Sequence, residues 1–267
     1  MRSAYRAWGL ASLGLVVAVV LVLHVPAAAK SPAAQPDPAN AVDLFSAIDK
    51  GQVDVKVIPK DSSQLRVMIE NKTDKPLTVK LPDAFAAVPV LAQNAAPARN
   101  NNNRNNNNNN QNQGMGGGMG MGGMGGMGMG GMGGMMNIAP EKVGQFKVAT
   151  VCLDHGKGEP RAAIPYVIKP LEDYTTQAGV REVCEMLGNG KINQRVAQVC
   201  AWHLNDGMTW EQLSAKQLRF ADGSSRPYFT QQELQAAMQV SSAAVQLAKQ
   251  RSEEKPSSSS SASISQR

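Results

Sequence analysis

Apolar and polar residues alternate along "VDVKVI" (Val53 to Ile58), "LRVMIE" (Leu65 to Glu70) and "LTVKL" (Leu77 to Leu81), and this period of two predicts three strands. "NKTDKP" between the second and third is a turn cluster. "FKVATVCL" (Phe146 to Leu153) and "IPYVIK" (Ile164 to Lys169) continue the strand pattern. The period then lengthens. Val180, Val183, Cys184 and Leu187 fall at helical spacing before Gly188, and Ile192, Val196, Val199, Cys200 and His203 mark a second helix ending at Gly207. "TWEQ" and "TQQE" are capping boxes, with Thr209 and Thr230 as N-caps; the second opens a long helix with Leu234, Met238, Ser241, Val245 and Ala248 on one stripe.

Between the two strand groups the chain loses all periodicity. From Asn100 it reads "NNNNRNNNNNNQNQ" and then runs of Gly and Met up to Met136. Glycine at this density makes ordering entropically costly, so the segment is expected to be disordered. The strands before it are too few to bury a core alone. The expected fold class is therefore α+β: a β-sandwich-like domain over 42–170, interrupted by a disordered Asn/Gly/Met-rich insertion at 96–137, then a small helical domain over 171–251. A Ser-rich tail over 252–267 is also expected to be disordered, and 30–41, with three prolines, to be an extended linker.

The N-terminus carries Arg2 and Arg6, an apolar run from Leu10 to Val25, and Ala27 and Ala29 at cleavage-site spacing, which reads as a signal peptide over 1–29. The run is short for a membrane span of about 20 residues, so no transmembrane anchor is expected after cleavage. The predicted location is secreted, periplasmic or cell-surface. Arg2 and Arg6 contribute to the formal net charge of +6. The remainder carries about +4 with no basic run, a pattern that does not indicate nucleic-acid binding.

Candidate chemistry centres on three cysteines, Cys152, Cys184 and Cys200. Cys184 and Cys200 lie on neighbouring predicted helices joined by a Gly-Asn-Gly turn. They are the easiest disulfide pair, one that would contribute roughly 3 kcal/mol. "VCLDHGKGEP" around Cys152 and "AQVCAW" around Gln198 resemble the two signatures of the thioester domains of bacterial surface adhesins, in which a Cys and a Gln side chain fuse into an internal thioester. The second segment keeps the family's Gln-to-Trp spacing, while Ala197, Cys200 and Ala201 differ from the family's pattern.

The resemblance implies Cys152 as thiol, Gln198 as acyl donor and Trp202 as a shield against water. With the signal peptide, the chain reads as a secreted or cell-envelope structural or adhesive protein that is not a turnover enzyme, and the resemblance sharpens this to covalent capture of an amine or hydroxyl on a partner surface.

Two metal readings compete with it. Cys152–His155 and Cys200–His203 are both Cys-x-x-His, together a set of four ligands for tetrahedral zinc. The nine methionines from Met115 to Met136 offer soft thioethers to Cu(I). No cysteine-protease signature accompanies Cys152, His155 or His203, and the glycine run lacks the lysine and flanking elements of a phosphate loop.

Overall fold

A computed structural model of the chain describes residues 40–90, 112–120 and 134–257. The expected signal peptide lies outside the described residues, as do most of the Asn/Gly/Met run and the end of the tail. Strands β2 (Val53–Asp61) and β3 (Gln64–Asn71) form an antiparallel hairpin with Val57 opposite Val67. Their alternation sends Val53, Val57, Leu65, Val67 and Ile69 into the core and leaves Arg66 in solvent, as a half-buried strand pair requires. Asp61 closes the turn by accepting from the backbone N–H and the hydroxyl of Ser63.

β8 (Val143–Cys152) pairs with the far edge of β3, placing Phe146 opposite Val67. Beyond it the sheet continues through β6 (Met115–Gly117), β5 (Phe85–Pro89) and β9 (Tyr166–Pro170), and Tyr166 closes the ring on Val57 of β2. The strand order β2-β3-β8-β6-β5-β9 is a closed barrel. The chain is thus α+β as expected, with a barrel where a sandwich-like domain was expected. The strand that bridges β5 and β8 comes from the Gly/Met run.

A second sheet, β1 (Val42–Asp43), β4 (Leu77–Lys80) and β7 (Met135–Ile138), lies with the short helix α1 (Leu44–Asp49), whose N-cap Asp43 accepts from Ser46 N. The expected disorder over 96–137 therefore gives way at 112–120 and 134–137 to ordered chain. Met115, Met119 and Met136 are buried with Phe85, Phe146 and Tyr166 in one core. Apolar burial of these side chains offsets the cost of fixing glycine.

β6 needs glycine for a second reason. A Cβ on Gly116 would stand 2.8 Å from Cys184 Sγ, and one on Gly118 would stand 2.5 Å from the backbone oxygens of both Asp83 and Cys184.

The outer face of the barrel carries a second core. Ala86, Val88, Val151 and Leu153 pack against helices α2 (Val180–Gly188), α3 (Gln194–Asp206) and α5 (Gln231–Ser257). Asn193 caps α3 through Val196 N, and α4 (Trp210–Ala215) starts at the complete capping box of Thr209 and Gln212. Thr230 and Glu233 exchange the equivalent pair of bonds at the start of α5. On α5 the buried stripe is Leu234, Ala237, Ser241 and Ala244, with Met238 exposed; the alanines let the helix approach closely. α5 continues through 252–257, where a disordered tail was expected, and Arg251 ties it to Glu182 and Glu185 of α2. A small exposed hairpin, β10 (Gln217–Arg219) and β11 (Ser225–Pro227), joins α4 to α5. No helix among the described residues is long and apolar enough to cross a membrane.

Candidate functional site

The site forms where β8 outruns its partner. Pairing with β3 ends at Gln64 opposite Ala149, and one residue on, Thr150 N donates to Ser63 O. Beyond that point β8 keeps β6 on one side only. Cys152 stands opposite Met115, but it is Leu153 whose N–H reaches back to Gly114 O at 2.9 Å, so the N–H and C=O of Cys152 turn the other way. Helix α3 lies along that edge. Gln198 Oε1 accepts from Cys152 N at 2.8 Å, and Gln198 Nε2 donates to Cys152 O at 2.9 Å. One turn earlier, Gln194 donates to Thr150 O at 3.1 Å, and near the end of the helix Asn205 donates to Leu153 O at 2.6 Å. Three amide side chains thus stand in for a missing strand, satisfying backbone groups whose burial would otherwise be costly.

Cys152 and Gln198 are 1% and 4% exposed, and Trp202, one turn beyond Gln198, is 5% exposed. Burial pushes the Cys152 thiol far above its ordinary range, and the nearby carboxylates of Glu159, Asp154 and Asp206 push it further, so at neutral pH it is a protonated thiol. Asp154 is held in place by Gly114 N at 2.7 Å, by the Tyr174 hydroxyl and by Lys157 at 3.1 Å. Burial, with Asp154 nearby, lifts Asp206 to about 6, against the lowering effect of the His155 N–H that it accepts at 3.0 Å.

Trp202 is enclosed by rings and a cation. His155 meets it edge-on at 4.9 Å, Tyr228 and Phe229 lie at 5.7 and 5.8 Å, and Lys216 Nζ sits over its ring at 5.1 Å.

The other sequence candidates are not brought together. Cys184 and Cys200 remain separate buried thiols rather than a disulfide. The helix faces explain why: Cys184 Sγ lies against Gly116 of β6, whereas Cys200 Sγ points to α5 and donates to Ala237 O. Nor do the two Cys-x-x-His pairs converge. His155 Nε2 is 2.8 Å from Lys216 Nζ, while His203 Nδ1 bonds Met208 O at 2.8 Å and its ring stacks on Trp210 at 4.1 Å. Among the described residues no group of three or more His, Cys, Asp or Glu is arranged to hold a metal. Of the methionine run, Met115, Met119 and Met136 are enclosed in the barrel core, away from any ion in solvent. The methionines from Met121 to Met132 lie outside the described residues.

Gln194, Asn205, Asp154 and Lys216 escaped the sequence reading. The first two were legible as amides sharing a helix face with Gln198 at spacings of four and seven. Lys216 carries no local signature, because only the tertiary fold brings it to Trp202, and Asp154, two residues after Cys152, has no spacing that marks its bonds to Gly114 and Tyr174. No family model, curated protein or solved structure matches this chain.

Proposed function

We propose that this is a secreted or cell-envelope structural and adhesive protein in which Cys152 and Gln198 form an internal thioester that captures a nucleophile on a partner surface. The observation that carries this reading is the Gln198 carboxamide held against the main chain of Cys152 by two hydrogen bonds, at 2.8 and 2.9 Å, with both residues buried.

The chemistry is balanced. Cys152 Sγ attacks Gln198 Cδ, the Sγ–Cδ bond forms, the Cδ–Nε2 bond breaks, and the thiol proton leaves with the nitrogen as ammonia. Cys152 N–H already donates to Oε1, the atom that becomes the oxyanion, so one stabilising donor is in place before reaction. An incoming amine or hydroxyl later attacks Cδ, takes the acyl group and returns the thiol. Each molecule acts once, so the protein is not a turnover enzyme.

The arrangement of Gln194 and Asn205 favours a second reading, in which Gln198 is a third structural amide and no acyl transfer occurs. The intact mass of the mature protein under non-reducing conditions, before and after methylamine, separates the two. A deficit of one ammonia that methylamine converts to an adduct on Gln198 supports the thioester. The full mass with three titratable thiols refutes it.

A further inference from the structure

Trp202 follows Gln198 by one turn on α3 and is buried beside the loop that leaves Cys152. Its indole Nε1 is buried with no hydrogen-bond partner among the described residues, so no directional bond fixes the ring. What keeps it in place is a layer of contacts, of which the Tyr228 and Phe229 rings belong to the core. The remaining two contacts lie on the solvent side and form a unit. Lys216 follows α4 and His155 follows Cys152 by three residues, so they come from chain segments far apart in sequence. Their side chains meet at 2.8 Å, and both lie on Trp202. Lys216 Nζ also lies 5.2 Å from the centre of the Tyr228 ring, which gives the ammonium two aromatic faces. The backbone of His155 is anchored by Asp206 at the end of α3, so the loop after Cys152 is fastened to the helix that carries Gln198.

We infer that Lys216 and His155 form a latch that holds Trp202 over the Cys152–Gln198 pair and sets how fast a small nucleophile reaches it. This deepens, and rests on, the thioester reading above. Both are positioning residues, acting through Trp202 and not on the reacting atoms. The latch works through geometry: Lys216 donates to His155 Nε2, so the pair is bonded when the imidazole carries its proton on Nδ1, and each partner limits the other's departure from the indole. Freed of the latch, the indole keeps its two aromatic neighbours and loses its outer support, so the chain stays folded while the entrance opens more often.

The test uses the full mature chain and three variants. Lys216→Met keeps the aliphatic stem and loses the ammonium, His155→Phe keeps the edge-on ring and loses the acceptor, and Lys216→Arg keeps a cation on the indole. The rate of methylamine incorporation, read by intact mass, is expected to rise about tenfold in Lys216→Met, which loses the cation–π contact on the indole and the hydrogen bond to His155, and about fivefold in His155→Phe, which loses the hydrogen bond alone. It should stay close to wild type in Lys216→Arg, with melting temperatures close to wild type throughout.

A wild type lacking one ammonia, with equal rates in all variants, overturns the latch and leaves the thioester standing. A wild type of full mass overturns the thioester. In that case the rate at which a small disulfide reagent modifies Cys152, in a Cys184→Ala/Cys200→Ala background, decides the latch: faster modification in Lys216→Met supports it, and an unchanged rate overturns it.

Discussion

Replacing Gln198 by Ala tests whether the carboxamide holds the free edge of β8. The comparison is best made in a Cys152→Ala background, where the backbone partners remain and no acyl transfer can consume the amide. Two hydrogen bonds disappear, and the N–H and C=O at position 152 are left buried without partners. Stranding one such group costs about 1–3 kcal/mol. The second carbonyl lone pair and some local relaxation reduce the sum, so a loss of about 3 kcal/mol is expected for the pair of groups. For an ordered unit of this size that corresponds to a melting temperature lower by roughly 6–12 °C.

Gln198→Glu in the same background gives a sharper pattern. The carboxyl keeps an oxygen for the Cys152 N–H, but its second oxygen faces the Cys152 carbonyl and suits that contact only when protonated. The folded-state pKa of the new group is therefore raised. Its stabilising contribution is present in acid and is lost as pH rises through that pKa. Thermal melts by circular dichroism between pH 4 and 8 would show Gln198→Glu close to its parent at the acid end and approaching Gln198→Ala at the alkaline end. If Gln198→Ala melted within about 2 °C of its parent, the reasoning would be refuted, since the edge of β8 would then not depend on this side chain.

Gly118→Ala should cost more than about 3 kcal/mol, because the added Cβ meets backbone oxygens that cannot turn aside; Gly116→Ala, which meets the movable Cys184 thiol and a Leu153 methyl, should cost about 1–2 kcal/mol and be partly rescued by Cys184→Ala in a denaturation double-mutant cycle. Asp206, lifted to about 6 from the ordinary 3.8, binds more proton folded than unfolded between these values, so it makes stability fall as pH rises from 4 to 6; Asp206→Asn should remove that fall from melts across the range, with solvent screening keeping the step small. A reductant should leave the melting temperature unchanged, because none of the three cysteines is paired with another; a drop on reduction would reveal a disulfide.

How much of this was legible beforehand depends on whether each element has one face or two. β2, β3 and the first part of β8 show solvent on one side, so their alternation is plain in the chain. β5, "FAAVP", hides because Phe85 and Ala87 face the barrel interior while Ala86 and Val88 face the helices, leaving no polar residue to mark a period. α1 is six residues long, too short for helical spacing to stand out, and β10 and β11 are exposed and bury almost nothing. At the site, Gln198 was visible through a motif, and the capping boxes at Thr209 and Thr230 through theirs. The pairing of Lys216 with His155 was not visible, since the contact spans 61 positions and depends on α4 docking beside the loop after Cys152.

The crowding around β6 has a consequence for how the chain finds its own alignment. In the whole Gly/Met run three consecutive glycines occur once, at Gly116–Gly118, and this is the triplet seated between β5, β8 and α2. Shifting the run to seat any later Met-Gly-Gly-Met unit would drive a methionine Cβ into the space where Gly118 meets the Asp83 and Cys184 oxygens. A stretch whose composition looks interchangeable thus carries a single address, written as the absence of side chains. Inserting or deleting a residue between Met115 and Gly118 would put a side chain at that address, and a methyl at Gly118 itself would meet the Asp83 and Cys184 oxygens.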